Sequence, residues 1–373
     1  MNPAAFFTDY DAFGERRTGG EGDDAAATWL RDRAAAAGAE ARLLAVPFTR
    51  FTPDQARLEV GDEAFEGLPL FDGGLADGIE GTLGPLGSAA PIGFAEMDPA
   101  AASLPGNAFA RARAESSHAG IVIALRTLPD GLAPLNAHDA GAPFGPPVLQ
   151  VAGRDAARIG ALAAAGVGAR LSVTGTRGPG LSHSIRAELP GAGPPLVLLT
   201  PRTSWWTSTA ERGGGVLAWL TALGALARTP RARGVVALAT CGHELGHIGA
   251  HHAFAAEPSL ATAAPVVIHL GANLGAAGDE RLTVRSNVEG LAARMAEALV
   301  AAGHPRAPLE VVTGGKANGE AHEVEGRGGR YLSLIGKNPW FHAPEDRWPH
   351  SVDGARAGAI AEAVAAMAVA LAR

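Results

Sequence analysis

The chain has 373 residues, of which 47% are apolar and 18% charged. This balance is typical of a globular protein with a large buried core and argues against a disordered chain. The net charge of −7 and the scattered arginines give no electrostatic reason to expect a nucleic-acid partner. A single cysteine, Cys241, excludes an internal disulfide and is typical of a reducing compartment.

No segment of the sequence predicts export or membrane insertion. The N-terminal residues lack a basic start followed by an apolar stretch, so we expect a cytoplasmic protein. No run of about 18 strongly apolar residues is present, so no membrane-spanning helix is expected. The alanine-rich run 358–371 contains Glu362 and predicts a packed amphipathic helix.

The first elements are a helix and then a β-rich segment. Acidic residues at the start and Gly38 beyond the end predict a helix over 23–37. Between 46 and 178, short apolar runs at 120–125 and 147–151 alternate with Pro/Gly-rich turns, and one helix is predicted near 154–165. The pattern predicts a separate β-rich module over 46–178.

Strands and helices alternate from about residue 179 onward. Continuous apolar runs predict strands that are covered on both faces, at 195–199, 234–238, 265–268 and 331–335. Helices are predicted at 211–227, 288–302 and 352–372. This order predicts an α/β fold with a mostly parallel (mixed) central sheet and helices on both faces. Ligands of such sheets bind where loops leave the carboxyl ends of strands.

The motif CGHELGH at 241–247 follows one of these predicted strands. Its HELGH part matches HExxH, in which two histidines on one helix bind zinc and the glutamate activates water. Here the first histidine lies just after a strand, and Gly242 and Gly246 disfavour a helix. We therefore do not adopt the HExxH interpretation.

Two further loops carry chemically unusual residues. After the strand at 195–199 come Arg202, Trp205 and Trp206, which are expected either to line a substrate pocket or to be structural. Ser208 and Glu211 in the same loop match a capping box, although Glu211 could also be functional. After the strand at 331–335, Trp340 and His342 precede two carboxylates that could orient the histidine.

Together these segments resemble the zinc-dependent aminopeptidase superfamily, which includes glutamate carboxypeptidases and glutaminyl cyclases. The similar motifs are GERRTG at 14–19, SHAGIVI at 117–123, AELPG at 187–191, CGHELG at 241–246 and FHAPED at 341–346. The resemblance implies an aminopeptidase-like α/β domain over 1–45 and 179–373. It also implies a protease-associated-like β-rich insert over 46–178.

The resemblance further implies a reduced metal site. One family metal site maps onto Glu211, Glu244 and His342, which keep ligand-type side chains. The ligands of the second metal map onto Pro201 and onto Gly271 or Ala272, which offer no donor. We therefore expect one zinc ion rather than two.

The family's general base falls on His243, which is expected to act as the base or to be a fourth ligand. His322, in the polar loop 319–323, is a further candidate for substrate binding, together with Arg202, Trp205, Trp206 and Trp340.

The expected function is metal-dependent hydrolysis of an amide or peptide bond in a small substrate. Two alternatives stay open at this point: a catalytically inactive binding or scaffold protein, and acyl transfer like that of glutaminyl cyclases. The expected partner is a small amide or short peptide, with neither nucleic acid nor membrane involved. The sequence leaves the oligomeric state open, and the insert is one place where a homo-oligomer could form.

Overall fold

The computed structural model describes residues 1–98, 107–126 and 131–373. Its helices are α1 (Pro3–Asp11), α2 (Glu21–Ala36), α3 (Ala108–Ala114), α4 (Ala156–Ala164), α5 (Thr209–Arg228), α6 (Ile248–Ala256), α7 (Ser259–Thr262), α8 (Leu291–Ala301), α9 (Glu320–Gly326) and α10 (Gly354–Ala372). Its strands are β1 (Glu40–Val60), β2 (Glu63–Pro69), β3 (Ala76–Pro85), β4 (Ile92–Met97), β5 (Gly120–Leu125), β6 (Val148–Val151), β7 (Gly168–Leu189), β8 (Ala192–Pro201), β9 (Arg233–Thr240), β10 (Val267–Leu270), β11 (Leu282–Ser286), β12 (Leu309–Thr313) and β13 (Tyr331–Gly336).

The centre of the sheet is parallel, as predicted. Strand β8 pairs in parallel with β9 and β10, and β10 pairs in parallel with β13. Antiparallel strands flank this centre, because β7 pairs with β9 and β11 pairs with β13. The predicted mostly parallel, mixed α/β sheet is therefore confirmed.

Helices cover both faces of the central sheet. Along β8, Leu196 and Leu198 pack into one hydrophobic core, while Val197 and Leu199 pack into another. The first core contains residues of α1, α2, α5, α8 and α10, and the second contains residues of α6, α7 and α9. This two-sided burial explains why the strand runs are continuously apolar rather than alternating.

The segment between β1 and β7 has a hydrophobic core of its own. Residues of that core lie between Ala56 and Val173, and they come from β1 to β7 and from α4. Strands β1 and β7 are antiparallel partners from Glu40↔Glu188 to Val60↔Ala169. These two strands therefore connect the segment's core with the central sheet, with one register shift between Pro53 and Gln55.

The C-terminal helix α10 lies in the first core of the central sheet. It is the one helix of the described ranges that is long and apolar enough to cross a membrane by composition. Half of its apolar window is buried inside the protein, where Ile360, Val364 and Met367 pack in the core. The predicted packed helix at the C-terminus is confirmed.

Candidate functional site

Helix α5 begins beneath the carboxyl ends of the parallel strands. A Cβ atom at Gly214 would lie 1.7 Å from the carbonyl oxygen of Leu274, so only glycine permits this approach. The amide of Asn273 donates to the carbonyl of Glu211 over 2.9 Å. These contacts fix the first turn of α5 against the segment that follows β10.

The predicted capping box at the start of α5 is wrong. Ser208 has a φ of 46° and makes no capping hydrogen bond, and the helix begins at Thr209. The carboxylate of Asp346 accepts instead from the amides of Ala210 (2.8 Å) and Glu211 (2.9 Å). Burial raises the pKa of Asp346 to about 6. The FHAPED segment therefore caps α5 from a distant part of the chain.

Glu211 is paired with a cation from its own helix. Its Oε1 lies 2.6 Å from Nη2 of Arg212 and 3.5 Å from Nε2 of His342, and all three side chains are buried. Its Oε2 accepts from Ser204 Oγ over 2.7 Å. Burial alone raises the pKa of Glu211, but Arg212 and His342 outweigh it and hold that pKa far below its usual range.

His342 keeps the orientation of a metal-binding histidine. Its Nδ1 lies 2.7 Å from the carbonyl oxygen of Pro134 and can only donate to it, which leaves Nε2 towards Glu211. Its φ of 60° places it in the left-handed region, where a non-glycine residue is uncommon. The structure thus brings Glu211 and His342 together, as the resemblance implied.

The carboxylate of Glu244 is held by two threonines. Its Oε1 accepts from the amide (2.9 Å) and hydroxyl (2.6 Å) of Thr18, in the GERRTG segment. Its Oε2 accepts from the hydroxyl of Thr203 over 2.8 Å, and the carbonyl of Thr203 in turn accepts from Nε of Arg212. Glu244 therefore accepts three hydrogen bonds from protein donors.

The contacts at Glu211, Glu244 and His342 leave two ligand-type atoms without hydrogen-bond partners, because Oε1 of Glu211 and Nε2 of His342 are buried and accept no hydrogen bond. A metal cation there would share Oε1 of Glu211 with the guanidinium of Arg212, which lies 2.6 Å away. The oxygens of Glu244 are satisfied by neutral hydroxyl and amide groups. Use of these three residues as metal ligands stays a prediction, and no chemical step is derived from it.

A cleft of about 660 Å³ opens next to this buried network. It is lined by loops that follow β9, β10 and β13 and by residues of α9, together with residues 136–139 of the segment between β1 and β7. Its lining is rich in histidines and carboxylates: His138, Asp139, His243, His247, His251, His269, Glu320, His322 and Glu323. The cleft lies at the carboxyl ends of the strands, where ligands of α/β sheets bind.

Three of these side chains form a compact cluster. The ligand-type atoms of His243, His247 and Glu320 all lie within 4.8 Å of one another. Nδ1 of His243 is 2.8 Å from Oε1 of Glu320, and the rings of His243 and His247 are 4.9 Å apart. The two histidines are not on one helix, because Gly246 (φ 91°) and His247 (φ 58°) interrupt the backbone between them.

Three further contacts orient the cluster. Nε2 of His269 lies 3.2 Å from Oε2 of Glu320, and its Nδ1 is 2.8 Å from Ser333 Oγ. Nδ1 of His247 lies 3.3 Å from Oε1 of Glu323. Both oxygens of Glu320 thus face histidine nitrogens.

Burial and neighbouring charged groups shift the pKa values of the three side chains in the cluster. Burial, with a further contribution from Arg212, lowers the pKa of His243 to about 4. Burial also lowers the pKa of His247, but Glu320 and Glu323 outweigh it and the net shift is upward. Burial alone raises the pKa of Glu320, whereas His243 and His247 hold it well below the usual range.

The residues expected to bind substrate lie in different places. His322 lines the cleft. Arg202 is buried and forms an ion pair with Asp23 at 2.5 Å, so its guanidinium is not directed towards a ligand. Trp205 is buried and donates to Asn136 Oδ1 over 3.0 Å, while Trp206 donates to the carbonyl of His342 over 2.9 Å.

Trp205 also packs against aromatic residues of the segment between β1 and β7. Its ring lies 4.6 Å from that of Phe71, and Trp205 shares a hydrophobic core with Phe51 and Leu245. Trp340 is half-buried, with its ring 5.5 Å from that of His350. The next residue, Phe341, lines the cleft instead.

Sequence reasoning missed four residues of this region. Arg212 was not singled out, although a charged residue directly beside an expected ligand is a usable signal. His247 was set aside together with the HExxH interpretation, and Glu320 was not among the expected site residues. His269 lies in β10, at the carboxyl-end side where such residues gather, and its position could have indicated it.

The fold is that of the zinc aminopeptidases. An aminopeptidase from Aneurinibacillus sp. strain AM-1 superposes with a TM-score of 0.74 at 15% identity, covering 100% of this chain and 93% of that one. A zinc aminopeptidase from Bacillus subtilis gives the same values. A peptidase M28 precursor from Shewanella amazonensis SB2B gives a TM-score of 0.70 at 15% identity, covering 100% of this chain and 92% of that one. Neither a protein-family model nor a curated protein sequence matches the chain.

Proposed function

We propose that the chain is a metal-dependent hydrolase that cleaves an amide or peptide bond in a small substrate, using one metal ion. The observation that carries the proposal is the cluster of His243, His247 and Glu320 in a cleft at the carboxyl ends of parallel strands. The fold of zinc aminopeptidases over the whole chain supports the same chemistry.

The size of the cleft supports a small substrate. A volume of about 660 Å³ lies within the usual range for small-molecule sites and corresponds to a short peptide rather than a folded protein. The lining carries Asp139, which suits a substrate amine, and Lys337, which suits a substrate carboxylate. Lys337 thus takes the anchoring role that the sequence assigned to Arg202.

The protein residues of the cleft hold and orient the reacting groups. A bound zinc ion would polarise the substrate carbonyl and lower the pKa of water. Glu320 fixes the ring of His243 through Nδ1, and His269 fixes the second oxygen of Glu320. Residues 136–139, within the proposed protease-associated-like insert, line one side of the cleft.

The test is hydrolysis of a panel of aminoacyl p-nitroanilides, dipeptides and dipeptide amides. We expect protein loaded with zinc to cleave members of the panel, and a chelator to abolish the activity. Lys337→Met is expected to raise KM for dipeptides but not for dipeptide amides, which lack the free carboxylate. Glu310→Gln, at an exposed position of β12, serves as the control. Absence of any cleavage by the zinc-loaded protein would overturn the proposal.

A further inference from the structure

We propose that His243, His247 and Glu320 form a binding site for one divalent transition-metal ion, separate from Glu211, Glu244 and His342. The role of this site as the metal centre of a hydrolase rests on the proposed function. Its ability to bind a metal ion rests only on the geometry of the three side chains, and binding is measured without substrate.

The spacing of the donor atoms is close to that of a zinc site. Zn–N and Zn–O bonds of about 2.0–2.2 Å in a tetrahedral arrangement place ligand atoms about 3.3–3.5 Å apart. In the cluster, Nδ1 of His243 and Oε1 of Glu320 are 2.8 Å apart, and no pair of donor atoms is further apart than 4.8 Å. The spacing required between zinc ligands lies between the shortest observed distance of 2.8 Å and the upper limit of 4.8 Å. Small rotations of the side chains would therefore bring the three donor atoms into zinc-binding positions.

Two members of the cluster, His247 and Glu320, are held by further side chains in the way that metal ligands commonly are. Histidine ligands commonly place their second nitrogen against a carboxylate, and ligating carboxylates are themselves hydrogen-bonded. Nδ1 of His247 faces Glu323 at 3.3 Å, which leaves Nε2 for a metal. Oε2 of Glu320 faces His269 at 3.2 Å, and His269 is held in turn by Ser333.

The exposure of the cluster is that of a site open to ligands. Glu320 is buried, whereas His243 and His247 line the cleft with 11% and 17% of their side chains exposed. Three protein ligands with a fourth position towards a cleft are typical of catalytic zinc sites. Two imidazoles and one carboxylate favour zinc or a similar transition metal over calcium or magnesium, which prefer oxygen ligands alone.

The neighbouring acidic network is a less favourable site for the ion, because it already contains a cation. Arg212 already supplies a positive charge to Glu211, and Glu244 is satisfied by Thr18 and Thr203. In contrast, Glu320 faces histidines only. The cluster therefore contains a carboxylate that a metal ion can bind without displacing an arginine.

The experiment is a titration of chelator-treated protein with Zn²⁺ by calorimetry and with Co²⁺ by visible absorption. We expect one equivalent to bind to the wild type. Glu320→Gln and His247→Ala are each expected to weaken binding by at least roughly 100-fold, since loss of an outer contact alone costs about 10–100-fold. His342→Asn and His251→Asn are the matched controls and are expected to bind like the wild type.

Circular dichroism of every variant checks that it is folded. Should Glu320→Gln fail to fold, His243→Gln replaces it, because the side chain of His243 is more exposed than that of Glu320. The proposal is overturned if the folded wild type binds no metal, or if binding is lost in His342→Asn and kept in Glu320→Gln. Binding at the cluster without cleavage of any substrate would overturn the hydrolase function and leave the metal site standing.

Discussion

Nη2 of Arg212 lies 2.6 Å from Oε1 of Glu211, although these are consecutive residues of one helix and both are buried. Consecutive side chains of a helix do not normally face each other. The two groups meet because α5 begins there, where the chain leaves the extended loop at 202–208. The resemblance to aminopeptidases implied a metal ion at Glu211, and the structure places the guanidinium of Arg212 beside that carboxylate.

Arg212→Met should destabilise the protein by about 3–5 kcal/mol, because it leaves the Glu211 carboxylate buried without its cation. The measurement is urea unfolding. The variant is also tested together with Glu320→Gln, which removes metal binding at the cleft cluster. In this double variant Zn²⁺ should raise the Tm by binding to Glu211 and His342. Arg113→Met breaks another buried pair, with Asp72, and should lower stability without any response to zinc. Unchanged stability of Arg212→Met would contradict the assigned pairing.

Thr18→Val should destabilise the protein by about 1–3 kcal/mol, since it removes a hydroxyl donor from the buried carboxylate of Glu244. Thr18→Ser keeps the donor and should retain most of the stability. Urea unfolding of the three proteins decides between them. Equal losses in both variants would indicate that packing of the methyl group, rather than the hydrogen bond, is responsible.

Arg202→Met should lower stability without changing KM for dipeptides, because Arg202 is paired with buried Asp23 rather than with substrate. Breaking such a pair costs about 3–5 kcal/mol. The double variant Asp23→Asn/Arg202→Met should be more stable than the sum of the single losses predicts. A raised KM in a fully stable Arg202→Met protein would restore the substrate-binding role expected from the sequence.

Asp11 should make the stability of the protein depend on pH in the acid range. Burial alone raises its pKa, but hydrogen bonds from Arg347 and Thr209 outweigh it, and the pKa lies below the ordinary value. Ionised Asp11 therefore contributes its full stabilisation of the folded protein above its pKa in the unfolded chain, about 3.9. This contribution is lost as the pH falls through its lower pKa in the folded protein.

Asp11→Asn should be less stable than the wild type at pH 7, and the difference should shrink below about pH 4. Urea unfolding at both pH values measures it, with Asp32→Asn at the exposed surface as the control for lost charge. A difference that stays constant with pH would contradict this assignment.

The sequence predicts the central strands well. These strands are buried on both faces, so each one is a continuous run of apolar residues that is recognisable without knowledge of distant parts of the chain. The strands predicted at 195–199, 234–238 and 331–335 lie within β8, β9 and β13. Prediction failed where the deciding partner is distant in the chain. The start of α5 is capped by Asp346, and Ser208, which has the right local pattern, is not used.

The same limit applies to the candidate site. His243 and Glu320 are 77 positions apart, and His269 and Glu320 are 51 apart. Their meeting depends on the order of β9, β10 and β13 in the sheet, which the sequence pattern does not specify. The resemblance located Glu211 and His342 together, but it carried no information on Arg212.

The pairing of β1 and β7 has a consequence for how this protein can change. The two strands pair from the central sheet into the segment that carries residues 136–139, with one register shift between Pro53 and Gln55. Away from that shift, a deletion of one residue in either strand would turn every side chain beyond it to the opposite face. The loop at 136–139 is held separately, because the amides of Ala137 and His138 donate to Glu244 and Asp72 and the side chain of Asn136 accepts from Trp205. New substrate preferences are therefore expected from substitution of cleft-lining side chains such as His138 and Asp139, rather than from changes in the length of either strand.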